Sequence, residues 1–86
     1  MVVRLVIKLV VNPNSELSLQ KHEQRGEFWY IAEGRGFIVY NDLIKHIDVG
    51  YSIEIPVGAV HCIANNTNEP LVIFEMQYGV CSEDDI

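Results

Sequence analysis

Apolar residues recur at every second position along much of this chain. Val3, Leu5, Ile7, Leu9 and Val11 form an unbroken odd-numbered apolar face, the periodicity of a strand with one side buried. Arg4 and Lys8 have the spacing of a helical pair, but the Val and Ile around them favour the pleated form. Asn12-Pro13-Asn14 ends the run, because proline offers no ladder N–H and asparagine accepts positive φ. The same reading predicts further strands over 17–22, 27–33, 36–40, 43–47, 51–55, 61–65 and 71–78. Turn-formers separate them: Gly34-Arg35-Gly36, Asn41-Asp42, Asp48-Val49-Gly50, Pro56-Val57-Gly58 and Asn65-Asn66-Thr67-Asn68. No stretch sustains a helical apolar period, and there is neither an internal repeat nor a linker. The pattern predicts an all-β sandwich or barrel in a single domain, residues 1–86.

Parity sorts the side chains between the two faces of each strand. Tyr51, Ile53 and Ile55 point inward, leaving Ser52 and Glu54 to solvent. Gln20 and His22 point the same way as each other, Glu27 shares a face with Trp29, Ile31 and Glu33, and His61 shares one with Ile63 and Asn65. Leu19, Phe28 and Tyr30 then face away from that interior. A solvated surface there should be polar, so these residues predict contact with a covering strand or with a second subunit, as in a homodimer.

Two spaced motifs carry the candidate chemistry: Gln20-x-His22-x4-Glu27-x6-Gly34 and Gly50-x5-Pro56-x-Gly58-x2-His61-x3-Asn65. Gln20, His22, Glu27 and His61 together offer two imidazoles and two oxygens from separate strands. That donor set suits one divalent transition metal ion, whether Zn, Mn, Co, Ni or Fe, with coordination positions left for water or substrate.

Size and charge narrow the partners. A chain of 86 residues buries roughly 60–65% of its unfolded surface, little for a domain that also holds a cavity; a metal or a second subunit would help hold it. With 49% hydrophobic and 21% charged residues, it lies outside the composition of disordered chains. Twelve acidic against six basic residues give a formal charge of −6, which excludes nucleic acid and anionic membrane as main partners. Glu83, Asp84 and Asp85 hold half of that excess, so the body remains compatible with a small anionic ligand. Cys62 and Cys81 make neither a disulfide framework nor a CxxC site. The opening apolar run is interrupted by Arg4 and Lys8 and stops at Asn12-Pro13, too short for a membrane span, and it lacks a small-residue cleavage site. A cytoplasmic protein is expected.

The paired motifs resemble the signature of the cupin superfamily, G-x5-H-x-H-x3,4-E-x6-G followed by G-x5-P-x-G-x2-H-x3-N. The second motif fits throughout; the first carries Asn14 in place of glycine and Gln20 in place of the first histidine. Asparagine is the next-best residue for a positive-φ turn, so the turn should survive the change. Within the superfamily, the run from Leu17 to Trp29 (LSLQKHEQRGEFW) is similar to that of type II mannose-6-phosphate isomerases, including the isomerase domain of bifunctional mannose-1-phosphate guanylyltransferases. Pro70-Leu71, Glu75-Met76-Gln77-Tyr78-Gly79 and Glu83-Asp84-Asp85-Ile86 extend the likeness over nearly the whole chain.

The resemblance implies a cupin-type double-stranded β-helix of the jelly-roll kind. It also implies metal ligation by Gln20, His22, Glu27 and His61, an active-site role for Arg25, and a sugar phosphate as substrate. Such a site suits aldose–ketose interconversion, in which a base moves a proton between neighbouring carbons beside a chelated carbonyl. Arg25 would supply positive charge to the oxyanion or phosphate. Parity offers two candidates for the base, Glu75 and Glu33. His46 reads as a surface histidine, Cys62 as a small filler, and Trp29 and Tyr51 as core or cavity wall. Two other functions fit the same barrel: a metal-dependent oxidase or dioxygenase, and a non-catalytic sugar-binding module.

Overall fold

All eight expected strands are present in the computed structural model, which describes residues 3–19, 25–40, 42–55 and 61–79. In chain order they are β1 (Val3–Val11), β2 (Ser15–Leu19), β3 (Arg25–Glu33), β4 (Arg35–Tyr40), β5 (Leu43–Asp48), β6 (Ser52–Ile55), β7 (His61–Asn65) and β8 (Leu71–Gly79). They form two four-stranded sheets, ordered β1-β8-β3-β6 and β2-β7-β4-β5, and every pairing is antiparallel. Apart from the β4–β5 hairpin, each strand is followed by one in the opposite sheet, which is the jelly-roll winding expected. No helix among the described residues is long and apolar enough to cross a membrane.

The inner faces pack as parity requires. Val11, Ile31, Leu71 and Ile73 of the first sheet meet Ile38, Ile47 and Ile63 of the second, all buried. Each such side chain contributes about 1.5–3 kcal/mol on leaving water. Tyr51 packs against this core while its hydroxyl accepts a hydrogen bond from Lys45 Nζ at 3.2 Å. His46 is exposed, edge-on to Phe37, and Cys62 is half-buried.

Two turns explain why the chain can wind so tightly. Asn14 stands at φ 55°, so asparagine does take the left-handed position where the superfamily pattern has glycine. Gly34 stands at φ +80°, and a Cβ there would run into the Pro70 carbonyl; here both backbone sign and space demand glycine.

Asn65, at the end of the second motif, clamps the same end of the sandwich. Its Nδ2 donates to the Val11 and Glu69 carbonyls at 3.0 and 2.7 Å, and its Oδ1 accepts from the Thr67 backbone N–H at 3.0 Å and the Thr67 hydroxyl at 2.7 Å. Both halves of a buried amide are therefore satisfied, tying β1 to the β7–β8 connection. Asn65→Leu strands those partners without water, a cost of about 3 kcal/mol. The expected result is a fall in Tm of roughly 10 °C or more, measured by thermal denaturation; a fall below about 3 °C would contradict the clamp.

Candidate functional site

The interior changes character along two neighbouring strands. Going toward the start of β3, the inward residues run Ile31, Trp29, Glu27; going toward the end of β8, they run Leu71, Ile73, Glu75, Gln77. Antiparallel pairing sets Glu27 opposite Gln77 and Trp29 opposite Glu75. One end of the sandwich is thus filled with hydrocarbon, and the other is lined with acids and an amide that water scarcely reaches. Glu27, Glu75 and Gln77 are only 2%, 5% and 2% exposed, and Trp29 is fully buried.

These four side chains bind one another. The Trp29 indole Nε1–H lies 2.9 Å from Glu27 Oε2 and 3.0 Å from Glu75 Oε1, so one donor bridges both carboxylates. Gln77 Nε2 donates to Glu75 Oε2 at 3.1 Å. Gln77 Oε1 is buried and has no hydrogen-bond partner among the described residues. The cluster is therefore rich in acceptors, and buried acceptors call for a cation or for protons.

Protons respond first. Burial, then a hydrogen bond to Glu27 and the charge of Glu27, raise the Glu75 pKa from 4.5 to about 7, while hydrogen bonds from Gln77 and Trp29 oppose the rise. Because the folded protein holds this proton more tightly than the unfolded chain, its contribution to stability is complete below pH 4.5 and lost as pH rises through about 7. Chelator-treated protein should lose on the order of 1–2 kcal/mol over that interval, after allowance for solvent screening. Denaturant melts across pH 4.5–8 test this, and Glu75→Gln should flatten the trend; equal slopes in the two proteins would refute the assignment.

The remaining expected site residues are placed by backbone alone or not at all. Gln20 and His22 lie outside the described residues. Arg25 begins β3 opposite Gly79, and His61 begins β7, paired with Leu19 on one side and Tyr40 on the other; their side chains lie outside what is described. Glu27 pairs with Ile55, the last residue of β6, and His61 is the first of β7, so both stand at the polar end. Among the described residues, no group of three His, Cys, Asp or Glu converges on one point. The donor set still fits a divalent ion, because a buried Glu27 carboxylate beside a second acid and an amide oxygen with no partner among the described residues is a setting that gains from positive charge.

Of the two candidates for the base, Glu33 is excluded by a register shift between Ile31 and Glu33. The bulge turns Glu33 out to solvent, whereas Glu75 is buried against Glu27. Sequence reasoning treated Trp29 as wall and gave Gln77 no role. Their positions two residues from Glu27 and Glu75 were visible, but only the β3–β8 register makes them the pair that orients both acids.

The family model described as mannose-6-phosphate isomerase C-terminal matches residues 3–86. Mannose-1-phosphate guanylyltransferase ManC of Salmonella typhimurium is 35% identical over 80 residues, covering 93% of this chain and 17% of that protein. The xanthan biosynthesis protein XanB of Xanthomonas campestris is 34% identical over 82 residues, covering 94% of this chain and 18% of that protein. The chain thus spans less than a fifth of these relatives' length. Among solved structures, a predicted oxalate decarboxylase from Thermotoga maritima superposes with a TM-score of 0.83 at 28% identity, over 91% of this chain and 68% of that one. A cupin protein from Bacteroides fragilis matches with a TM-score of 0.79 at 19% identity, over 90% and 66% of the two chains.

Proposed function

The chain belongs to the mannose-6-phosphate isomerase C-terminal family, and from that premise we propose that it interconverts an aldose phosphate and its ketose, with mannose 6-phosphate as the expected substrate. The observation that carries this reading is Glu75, buried beside Glu27 at the polar end of the barrel and holding a proton up to about pH 7. Gln20, His22, Glu27 and His61 would hold one divalent ion, which supplies Lewis acidity to the sugar carbonyl and its neighbouring hydroxyl.

Glu75 takes the proton from the hydroxyl-bearing carbon beside the carbonyl and returns it to the carbonyl carbon, while the hydroxyl proton passes to the former carbonyl oxygen, so both carbon–hydrogen transfers use a single group. A proton affinity near neutrality suits that double duty, since the same carboxyl must accept and donate. Trp29 and Gln77 keep it from rotating, each holding a different oxygen. Arg25, at the start of the strand that carries Glu27, would neutralise the phosphate or the developing oxyanion.

Elemental analysis of purified protein, joined to a coupled assay for conversion of mannose 6-phosphate to fructose 6-phosphate with and without chelator, tests the proposal. Turnover should require the ion. Arg25→Ala should retain the ion and lose turnover about 100-fold or more; full activity in that variant removes Arg25 from the mechanism. Saturable sugar-phosphate binding without conversion by the metal-loaded protein would instead favour a binding module.

A further inference from the structure

Only half of the Gln77 amide is accounted for by its hold on Glu75. Nε2 donates to Glu75 Oε2 at 3.1 Å, while Oε1 is buried and accepts from nothing among the described residues. Turning the amide over would not relieve that oxygen, because it would then face a carboxylate oxygen and forfeit the bond to Glu75. Glu75 therefore fixes the orientation. A buried acceptor without a donor is uncommon in a folded chain, and one held in place beside the proposed proton-transfer group calls for a donor that arrives with a ligand.

We infer that Gln77 Oε1 accepts a hydrogen bond from the sugar hydroxyl on C3, which makes Gln77 a specificity-determining residue; this rests on the proposed isomerase activity. Aldose chemistry selects that hydroxyl. The carbonyl of an aldose is terminal and the reaction exchanges it with the oxygen on C2, so C3 carries the hydroxyl that adjoins the reacting carbons and takes no part. Glu75 must reach C1 and C2. Gln77 is the next inward residue on β8, and its Oε1 belongs to the same amide as the Nε2 bound to Glu75, so the unmet acceptor stands beside the next carbon along the sugar. A site that keeps a buried polar atom for a substrate hydroxyl rejects an analogue lacking it much more strongly than an apolar wall would. Gln77 also pairs directly with Glu27, which makes the proposed ion the rival occupant of Oε1.

Mannose 6-phosphate and its 3-deoxy analogue, each offered to the metal-loaded parent and to Gln77→Met, provide the test. Methionine keeps the length and removes both polar atoms. In the parent, loss of the 3-hydroxyl should lower kcat/KM about 100-fold or more and weaken binding about tenfold by calorimetry. Gln77→Met should be slower on the natural sugar, yet distinguish the two sugars by less than about threefold, because the acceptor is gone. Its metal content should match the parent's. Gln77→Asn, which keeps an amide but draws its oxygen back, serves the same comparison if methionine prevents folding. A parent that treats both sugars alike overturns the inference, as does a penalty of equal size in parent and variant. Loss of the ion from Gln77→Met assigns Oε1 to the metal and overturns it too. Binding that depends on the 3-hydroxyl and on Gln77, without any conversion, would instead retire the isomerase activity and leave this contact standing.

Discussion

Glu27→Gln is expected to purify without a stoichiometric divalent ion, yet to unfold at a higher temperature than the chelator-treated parent. Both outcomes come from one removed charge. Glu27 is 2% exposed and sits beside a second acid, and a carboxylate in such a setting costs more to hold as a charge than an amide of the same shape. Glutamine keeps the shape and an oxygen for the Trp29 N–H, and relieves about 1–2 kcal/mol near neutral pH. In a chain of this size that corresponds to a Tm about 5–10 °C higher. The same substitution removes the anionic ligand that the proposed ion needs, and affinity should fall by more than about 100-fold, beyond the usual effect of an outer-sphere change. Differential scanning fluorimetry with and without Mn or Zn reads both effects, since an added ion should raise the parent's Tm and leave the variant's unchanged. A variant that still binds one equivalent of metal would remove Glu27 from the ligand set. One less stable than the metal-free parent would show that the buried charge is already compensated.

That opposition between stability and ligation fits the gradient along β3 and β8. From the hydrocarbon end of the sandwich to the other, the pair changes from Ile31 against Ile73 to Glu27 against Gln77. A sandwich built only to be stable would continue the hydrocarbon to the rim, because replacing buried charge by well-packed apolar groups is often neutral or favourable. The polar end is a retained cost, and such costs concentrate where a protein does its chemistry.

Much of this was readable from the residues, because strand periodicity and turn chemistry are local. Odd-numbered apolar runs located β1 and β6, and Asn12-Pro13-Asn14 located the turn at which Asn14 takes positive φ. Whatever depended on pairing between distant strands was not readable. Parity alone put Glu33 and Glu75 on equal terms, and the bulge that expels Glu33 belongs to the β3–β8 register rather than to either strand. Trp29 looked like wall because a large aromatic on an inward face usually is; its N–H became a bridge only once Glu75, 46 positions away, lay opposite. The outward direction of Phe28 and Tyr30 was foreseen, whereas their alignment with Met76 and Phe74 into one apolar face came from the sheet order.

Glu75→Gln should show the largest loss of turnover with the least change elsewhere. It keeps a side chain that can accept from Trp29 Nε1, now 3.0 Å from Glu75 Oε1, and it leaves Glu27 and the other proposed ligands intact. Metal content should therefore match the parent. The variant cannot accept a proton from carbon, and kcat should fall by about 100- to 10,000-fold, the usual worth of a positioned general base. KM for the sugar phosphate should stay within a few-fold, because the group acts on a proton in flight rather than on the bound ground state. Exchange of solvent deuterium into the sugar should fall in parallel with turnover. Loss of the ion in Glu75→Gln would make Glu75 a ligand in its own right, and near-normal turnover would send the search for the base away from β8 altogether.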